Sequence, residues 1–278
     1  MAMGNLAQRA ATALVLVPIL VVALFLDPTP WSILGIATLA GMAAHDELLR
    51  MSLPVSEGDR MIGLRALTLV AGATMVVLSM VFTPGQAIAP VLTISAIALG
   101  VMLLGRKEAL PNAGRHMAAA YSSLLYVPIL VAMWTPIKGH LPHGERWLFV
   151  TLGVAFLSDT VAYFFGRFLG KHKLYPAVSP KKTVEGAVGG LVGGVLSTVG
   201  FGSLLLLPEL PIGHALVLGV VGSAVGQAGD LFESMLKRAY GVKDSGNLLP
   251  GHGGMLDRVD ALLFVGPVVY YYVTLILG

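Results

Sequence analysis

The sequence predicts an all-α integral membrane protein, a polytopic bundle of about nine transmembrane helices with a cytoplasmic N-terminus and an external C-terminus. Three observations carry this expectation. The 278 residues are 56% hydrophobic and only 12% charged, where soluble domains carry about 25% charged residues. The apolar residues gather in runs close to the roughly 20 that a helix needs to cross about 30 Å of hydrocarbon. The basic residues segregate to alternate connections, as they do on the cytoplasmic side of membrane proteins.

The runs lie near 10–26, 31–45, 62–82, 86–104, 118–136, 147–165, 183–207, 212–235 and 261–277. The first follows Arg9 and shows no small-residue cleavage pattern, so it reads as a retained span rather than a signal peptide. With the N-terminus inside, the inner connections and helix ends hold Arg9, Arg50, Arg60, Arg65, Arg106, Lys107, Arg115, Arg167, Lys171, Lys173, Lys181, Lys182, Lys237, Arg238, Lys243 and Arg258, and the outer ones hold Lys138 and Arg146. That asymmetry supports both the span count and the orientation. It also accounts for the net charge of +3, so no nucleic-acid partner is expected. The chain has no cysteine, which excludes a disulfide framework, a thiolate metal site and a cysteine nucleophile.

Two regions are expected. Residues 1–136, with five spans, carry almost no buried charge and read as a scaffold, a lipid-facing wall or a dimer surface. The cluster HDEL at 45–48 reads as solvated charge at a helix end, and being internal it is no retention signal. Residues 137–278, with four spans, form the catalytic region. Asp159, Glu185, Asp230 and Glu233 fall in the cytoplasmic halves of its spans, where ionisable groups are tolerated only in a wet or paired interior. Span seven places Gly186, Gly190 and Gly194 at four-residue spacing beside Gly189 and Gly193. Such a stripe permits close helix approach, within one chain in the favoured reading and across a homodimer in the other.

Three stretches hold polar residues that topology does not require. SDTVAYFFGRFLGKHK, 158–173, leads from a membrane aspartate into a basic loop. SPKKTVEGAVGG, 179–190, sets two lysines, a threonine and a glutamate at the mouth of a helix, whose free N–H groups suit phosphate. The third and most specific is GDLFESMLKRAYGVKDSGNLLPGHGGMLDRVD, 229–260. Asp257 and Asp260 are three apart and share a face at a helix start, and Asp230 adds a third carboxylate. Hard oxygen ligands without cysteine point to magnesium, with a second cation left open. Lys237, Arg238 and Lys243 suit a polyphosphate, and Gly251, Gly253 and Gly254 let backbone N–H groups approach it. His252 fits a phosphate or metal contact, and fits a structural turn equally well. Together these features describe a site for phosphoryl or nucleotidyl transfer.

The string Ser234, Lys237, Arg238, Lys243, Asp244, Gly246, Pro250, His252, Gly253, Gly254, Asp257, Arg258, Asp260 closely resembles the signature of the CDP-diacylglycerol synthase, or phosphatidate cytidylyltransferase, family. The stretches at 158–173 and 179–190 are also similar to it, so the resemblance covers roughly the last 120 residues. Val161 is a mild departure, where a smaller residue is expected. The resemblance implies that CTP and phosphatidic acid from the inner leaflet give CDP-diacylglycerol and pyrophosphate with Mg2+, at the cytoplasmic face of a bacterial inner membrane. It implies Asp230, Asp257 and Asp260 at metal and Lys237, Arg238 and Lys243 at phosphates. Ser179, Lys182 and Thr183 are expected at substrate phosphate or nucleotide, with His252, Gly253, Gly254 and Arg258 lining the site and Asp159, Glu185 and Asp244 as further candidates. Two other classes fit less well. A CTP-dependent lipid kinase of the dolichol or phytol kinase type shares SPKKTVEG but not the long C-terminal signature. A secondary transporter explains buried carboxylates but not the Gly-His-Gly-Gly loop. The spacing of a CDP-alcohol phosphotransferase is absent.

Overall fold

The computed structural model describes residues 14–15, 17–53, 61–105, 111–249, 251 and 253–278. Arg9, Arg60, Arg106, Lys107, Pro250, His252 and the first residues of the expected first span lie outside the described residues.

The described chain is built of helices: α1 (Val17–Leu26), α2 (Trp31–Ser52), α3 (Ile62–Leu78), α4 (Pro84–Leu104), α5 (Ala113–Val131), α6 (Trp134–His140), α7 (Gly144–Phe168), α8 (Val184–Val195), α9 (Ile212–Ala239) and α10 (Leu256–Tyr272). Wider π-type turns continue α8 through Leu196–Leu206 and α10 through Val273–Leu277. Six stretches among the described residues are long and apolar enough to cross a membrane: Pro84–Leu104, Ala113–His140, Gly144–Phe168, Val184–Leu206, Ile212–Ala239 and Leu256–Leu277. The expected number was nine. α1 and α3 are apolar but shorter, and α2, at 22 residues, carries His45, Asp46, Glu47 and Arg50 in its C-terminal half. Many large apolar side chains face outward, among them Leu39, Ile94, Ile97, Leu104, Leu204, Leu205 and Leu275. A surface of this kind is stable against lipid and not against water.

Among the described residues the helices are joined by one small antiparallel hairpin, of β1 (Lys173–Tyr175) and β2 (Ser179–Thr183). Ser179, Lys181 and Lys182 therefore lie on a strand rather than in a helix mouth. Thr183 ends that strand and caps α8, its Oγ1 accepting from Gly186 N at 3.1 Å, which satisfies one of the N–H groups a helix start leaves open.

The chain divides into two compact units. One takes in the chain to Ala23, Asp27–Pro136 and Asp244–Leu256; the other takes in Leu24–Leu26, Ile137–Lys243 and Asp257–Gly278. In the first, α2, α3 and α5 pack on one another and α4 packs on α3. Two buried polar pairs lie there: His45 Nε2 is 3.0 Å from Ser123 Oγ, and Ser79 Oγ is 3.2 Å from Thr135 Oγ1. Asp46 accepts from Arg50 at 2.7 Å and from Arg65.

In the second unit α8 is wedged between α7 and α9, and its glycines make this possible. A Cβ on Gly189 would stand 2.5 Å from Phe165, one on Gly193 2.6 Å from the Leu157 carbonyl oxygen, and one on Gly194 2.5 Å from the Gly219 carbonyl oxygen. The stripe is thus engaged within the chain, as favoured from sequence. α10 lies against α9 by the same device, since a Cβ on Gly229 would come within 2.8 Å of the Asp260 carbonyl oxygen.

Candidate functional site

Helix α9 sets Asp230, Glu233 and Lys237 at i, i+3 and i+7, the spacing of one helix face. From β2, Lys182 Nζ reaches Asp230 Oδ2 at 2.5 Å. Lys237 Nζ stands between two acids, 2.5 Å from Glu233 Oε2 and 2.6 Å from Asp257 Oδ1 at the start of α10. The Glu233 side chain is wholly buried. Apart from the ion pair with Lys237, its oxygens have no hydrogen-bond partner among the described residues.

The rest of the cluster is joined by charge. Asp159 on α7 feels Asp230, Lys182 and Arg258, and Asp260 feels Asp230, Asp159 and Lys237. Asp260 Oδ1 also accepts from Ala261 N at 2.8 Å. Among the described residues no three carboxylates or imidazoles come close enough together to form a ready cage for a metal ion. The donor set nevertheless fits a hard divalent cation. Five carboxylates, Asp159, Asp230, Glu233, Asp257 and Asp260, face three cationic side chains, Lys182, Lys237 and Arg258. With every carboxyl ionised two negative charges remain, and oxygen ligands without sulfur suit magnesium.

The glycine loop belongs to the first unit. Gly251 and Gly253 have φ of 76° and 83°, a region that side chains with a Cβ avoid, and Leu249 N donates to the Gly253 carbonyl oxygen at 3.0 Å. The centre of the loop is Glu47 of α2. Its carboxylate accepts from Ser245 Oγ at 2.8 Å, from Met255 N at 2.9 Å and from Leu256 N at 2.9 Å. Glu47 is buried, at 8% exposure. Within the HDEL cluster, His45 and Glu47 are therefore buried rather than solvated, while Asp46 stays partly exposed.

Residues 7–276 match the model of one family, described as the cytidylyltransferase family. The chain belongs to the cytidylyltransferase family. It is 43% identical over 151 residues to a phosphatidate cytidylyltransferase of Bacillus subtilis (strain 168), covering 54% of this chain and 56% of that protein. It is 40% identical over 179 residues to a phosphatidate cytidylyltransferase of Staphylococcus saprophyticus, covering 63% of this chain and 66% of that one. A phosphatidate cytidylyltransferase of Staphylococcus haemolyticus matches to the same extent. The chain thus spans between about half and two thirds of the length of these relatives.

In this cytidylyltransferase-family chain the structure pairs Lys182 with Asp230 and Lys237 with Asp257, with Asp159, Asp260 and Arg258 within reach of their charge. Other expected site residues are engaged elsewhere or stand apart. Arg238 is exposed and donates to the Val242 carbonyl oxygen at 3.0 Å. Lys243 and Asp244 are exposed, and Ser179 is half-buried on β2. Glu185 accepts from Lys171 N at 3.0 Å and pairs with His172 Nδ1 at 2.7 Å, which ties down the start of the hairpin. Gly254 is buried beside Ser245 and Glu47. Two residues in these contacts, Glu233 and Glu47, were not among the expected site residues: Glu233 was expected only in a wet or paired interior, and Glu47 as solvated charge. The signal for Glu233 was present, since it lies four residues before Lys237 on one helix face. Glu47 gave none, because its partners lie 198 to 209 residues away.

Proposed function

We propose that the chain is a phosphatidate cytidylyltransferase, condensing CTP with phosphatidic acid to give CDP-diacylglycerol and pyrophosphate. The observation that best supports this is the cluster in which Lys237 bridges Glu233 and Asp257 while Lys182 holds Asp230. It offers cations for phosphates and hard anions for a metal on apolar helices, in a chain whose family match runs almost end to end.

The chemistry needs little from the protein except position and charge. A phosphate monoester has its second pKa near 6, so the lipid phosphate is largely dianionic at pH 7 and needs no general base. Its oxygen bonds to the α-phosphorus of CTP. The bond from that phosphorus to the bridging oxygen breaks, and pyrophosphate leaves with the electron pair. Lys182 and Lys237, released from their carboxylates, neutralise charge on the α-phosphate and the leaving pyrophosphate. Arg238, Lys243 and Arg258 extend the cationic surface, and Ser179 orients the nucleotide phosphates. Asp230, Asp257 and Asp260 would hold magnesium, which when bound supplies further charge neutralisation. The chain crosses a bacterial inner membrane nine times with the N-terminus inside, so these groups meet cytosolic CTP and inner-leaflet lipid.

Purified protein in detergent, given CTP, phosphatidic acid and Mg2+, is expected to release pyrophosphate in step with lipid consumed. No pyrophosphate is expected when diacylglycerol, which lacks the nucleophilic phosphate, replaces phosphatidic acid. Equal release with either lipid would overturn the reading.

A further inference from the structure

Glu47 sits in the half of the chain that shows no chemistry by sequence, yet it organises the loop that carries most of the signature. Its two carboxylate oxygens divide three donors between them. Oε1 takes Met255 N at 2.9 Å, and Oε2 takes Leu256 N at 2.9 Å and Ser245 Oγ at 2.8 Å. Met255 N and Leu256 N are the N–H groups at which α10 begins, and a helix start leaves such groups without intrahelical partners. The loop also closes tightly around the carboxylate. A Cβ on Gly246 would lie 2.5 Å from Oε1, and one on Gly254 would lie 2.5 Å from Oε2 and 2.0 Å from Ser245 Oγ. Gly246 and Gly254 are therefore needed to wrap the loop around Glu47, whatever else they do.

We propose that Glu47 is a positioning residue for the transfer reaction: it holds 244–246 and 253–256 in the one conformation that presents backbone N–H groups to the phosphates of CTP and starts α10 immediately before Asp257. This rests on the reading of the glycine loop as a nucleotide-phosphate holder. Without the carboxylate, the competent loop is one conformation among several. The apparent affinity for CTP then falls by the fraction of molecules that hold it.

Glu47→Gln is the discriminating substitution. It keeps shape, but whichever way the carboxamide is turned, its NH2 faces at least one backbone N–H that now has an acceptor. In the full-length protein in detergent, hydrogen exchange of the Met255 and Leu256 amides is expected to accelerate tenfold or more, with exchange in α7 and α8 unchanged. The KM for CTP is expected to rise about tenfold, with the KM for phosphatidic acid within twofold. Ser245→Ala removes one bond of the three and gives the same pattern at smaller amplitude, which serves if Glu47→Gln does not fold. Unchanged exchange at 255 and 256 in both variants would overturn the positioning role. Faster exchange with an unchanged KM for CTP would overturn the link from loop to nucleotide. Exchange needs no turnover, so either result is distinct from failure of the cytidylyltransferase reading, which would show as no pyrophosphate from the unmodified protein.

Discussion

Asp257→Asn is expected to bring turnover below a tenth of that of the unmodified protein, and Asp260→Asn to do the same, while both variants insert and purify normally. Each substitution keeps the side chain's shape and removes one hard anionic ligand, which a metal-dependent transfer does not easily spare. The fold should survive, because Lys237 keeps its contact with Glu233 when Asp257 is neutralised, and a carboxamide in place of the Asp260 carboxylate still offers Ala261 N an acceptor. Steady-state rates across a Mg2+ titration check the expectation. Retention of more than about a tenth of the activity, a loss of roughly 1.4 kcal/mol or less in barrier terms, would remove these aspartates from the metal site.

Lys237→Met is expected to damage both folding and turnover, and a second substitution separates the two. The ammonium is the ion-pair partner of Glu233, whose side chain is fully buried, and it also neutralises Asp257, at 7% exposure. Removing one member of a buried ion pair typically costs about 3–5 kcal/mol, because the remaining charge is left uncompensated. Adding Glu233→Gln to Lys237→Met removes the stranded charge, so thermal stability should recover most of the loss. Activity should not recover, because the proposed task of Lys237 at the phosphates is still undone. Thermal unfolding in detergent and rates measured on the same samples decide it. Recovery of activity along with stability would make Lys237 a structural residue only.

What was legible in the sequence follows the range over which each signal acts. Apolar runs placed the helices well: α8 with its continuation ends at Leu206 where a span to 207 was expected, and α4 ends at Leu104 as expected. Crossing a membrane is harder to read than being helical. α2 has the length of a span, yet His45, Asp46 and Glu47 fall within it, and only the three-dimensional structure shows that His45 is paired with Ser123 and Glu47 with the loop. The hairpin was hidden because Ser179–Thr183 is short, carries two lysines and contains a proline, which periodicity does not mark as a strand. Within the site, Lys237 and Asp257 were both singled out, but not that one neutralises the other. Spacing along a helix finds partners one or two turns away, as for Glu233 and Lys237, and has nothing to say about Lys182 and Asp230, 48 residues apart. Gly251, Gly253 and Gly254 were read as room for a phosphate. Gly254, together with Gly246, also makes room for Glu47, a contact that no local pattern carries.

The central claim is that the chain transfers a cytidylyl group, and the fate of phosphorus tests it most directly. Two batches of CTP, labelled at the α- or the γ-phosphate, are incubated with the purified protein, phosphatidic acid and Mg2+, and the lipid is extracted and counted. Attack at the α-phosphorus predicts label in lipid from α-labelled CTP only, with the γ-label recovered in pyrophosphate. Transfer of the γ-label into lipid with release of CDP would make the protein a lipid kinase and contradict the account, even with every residue of the signature in place.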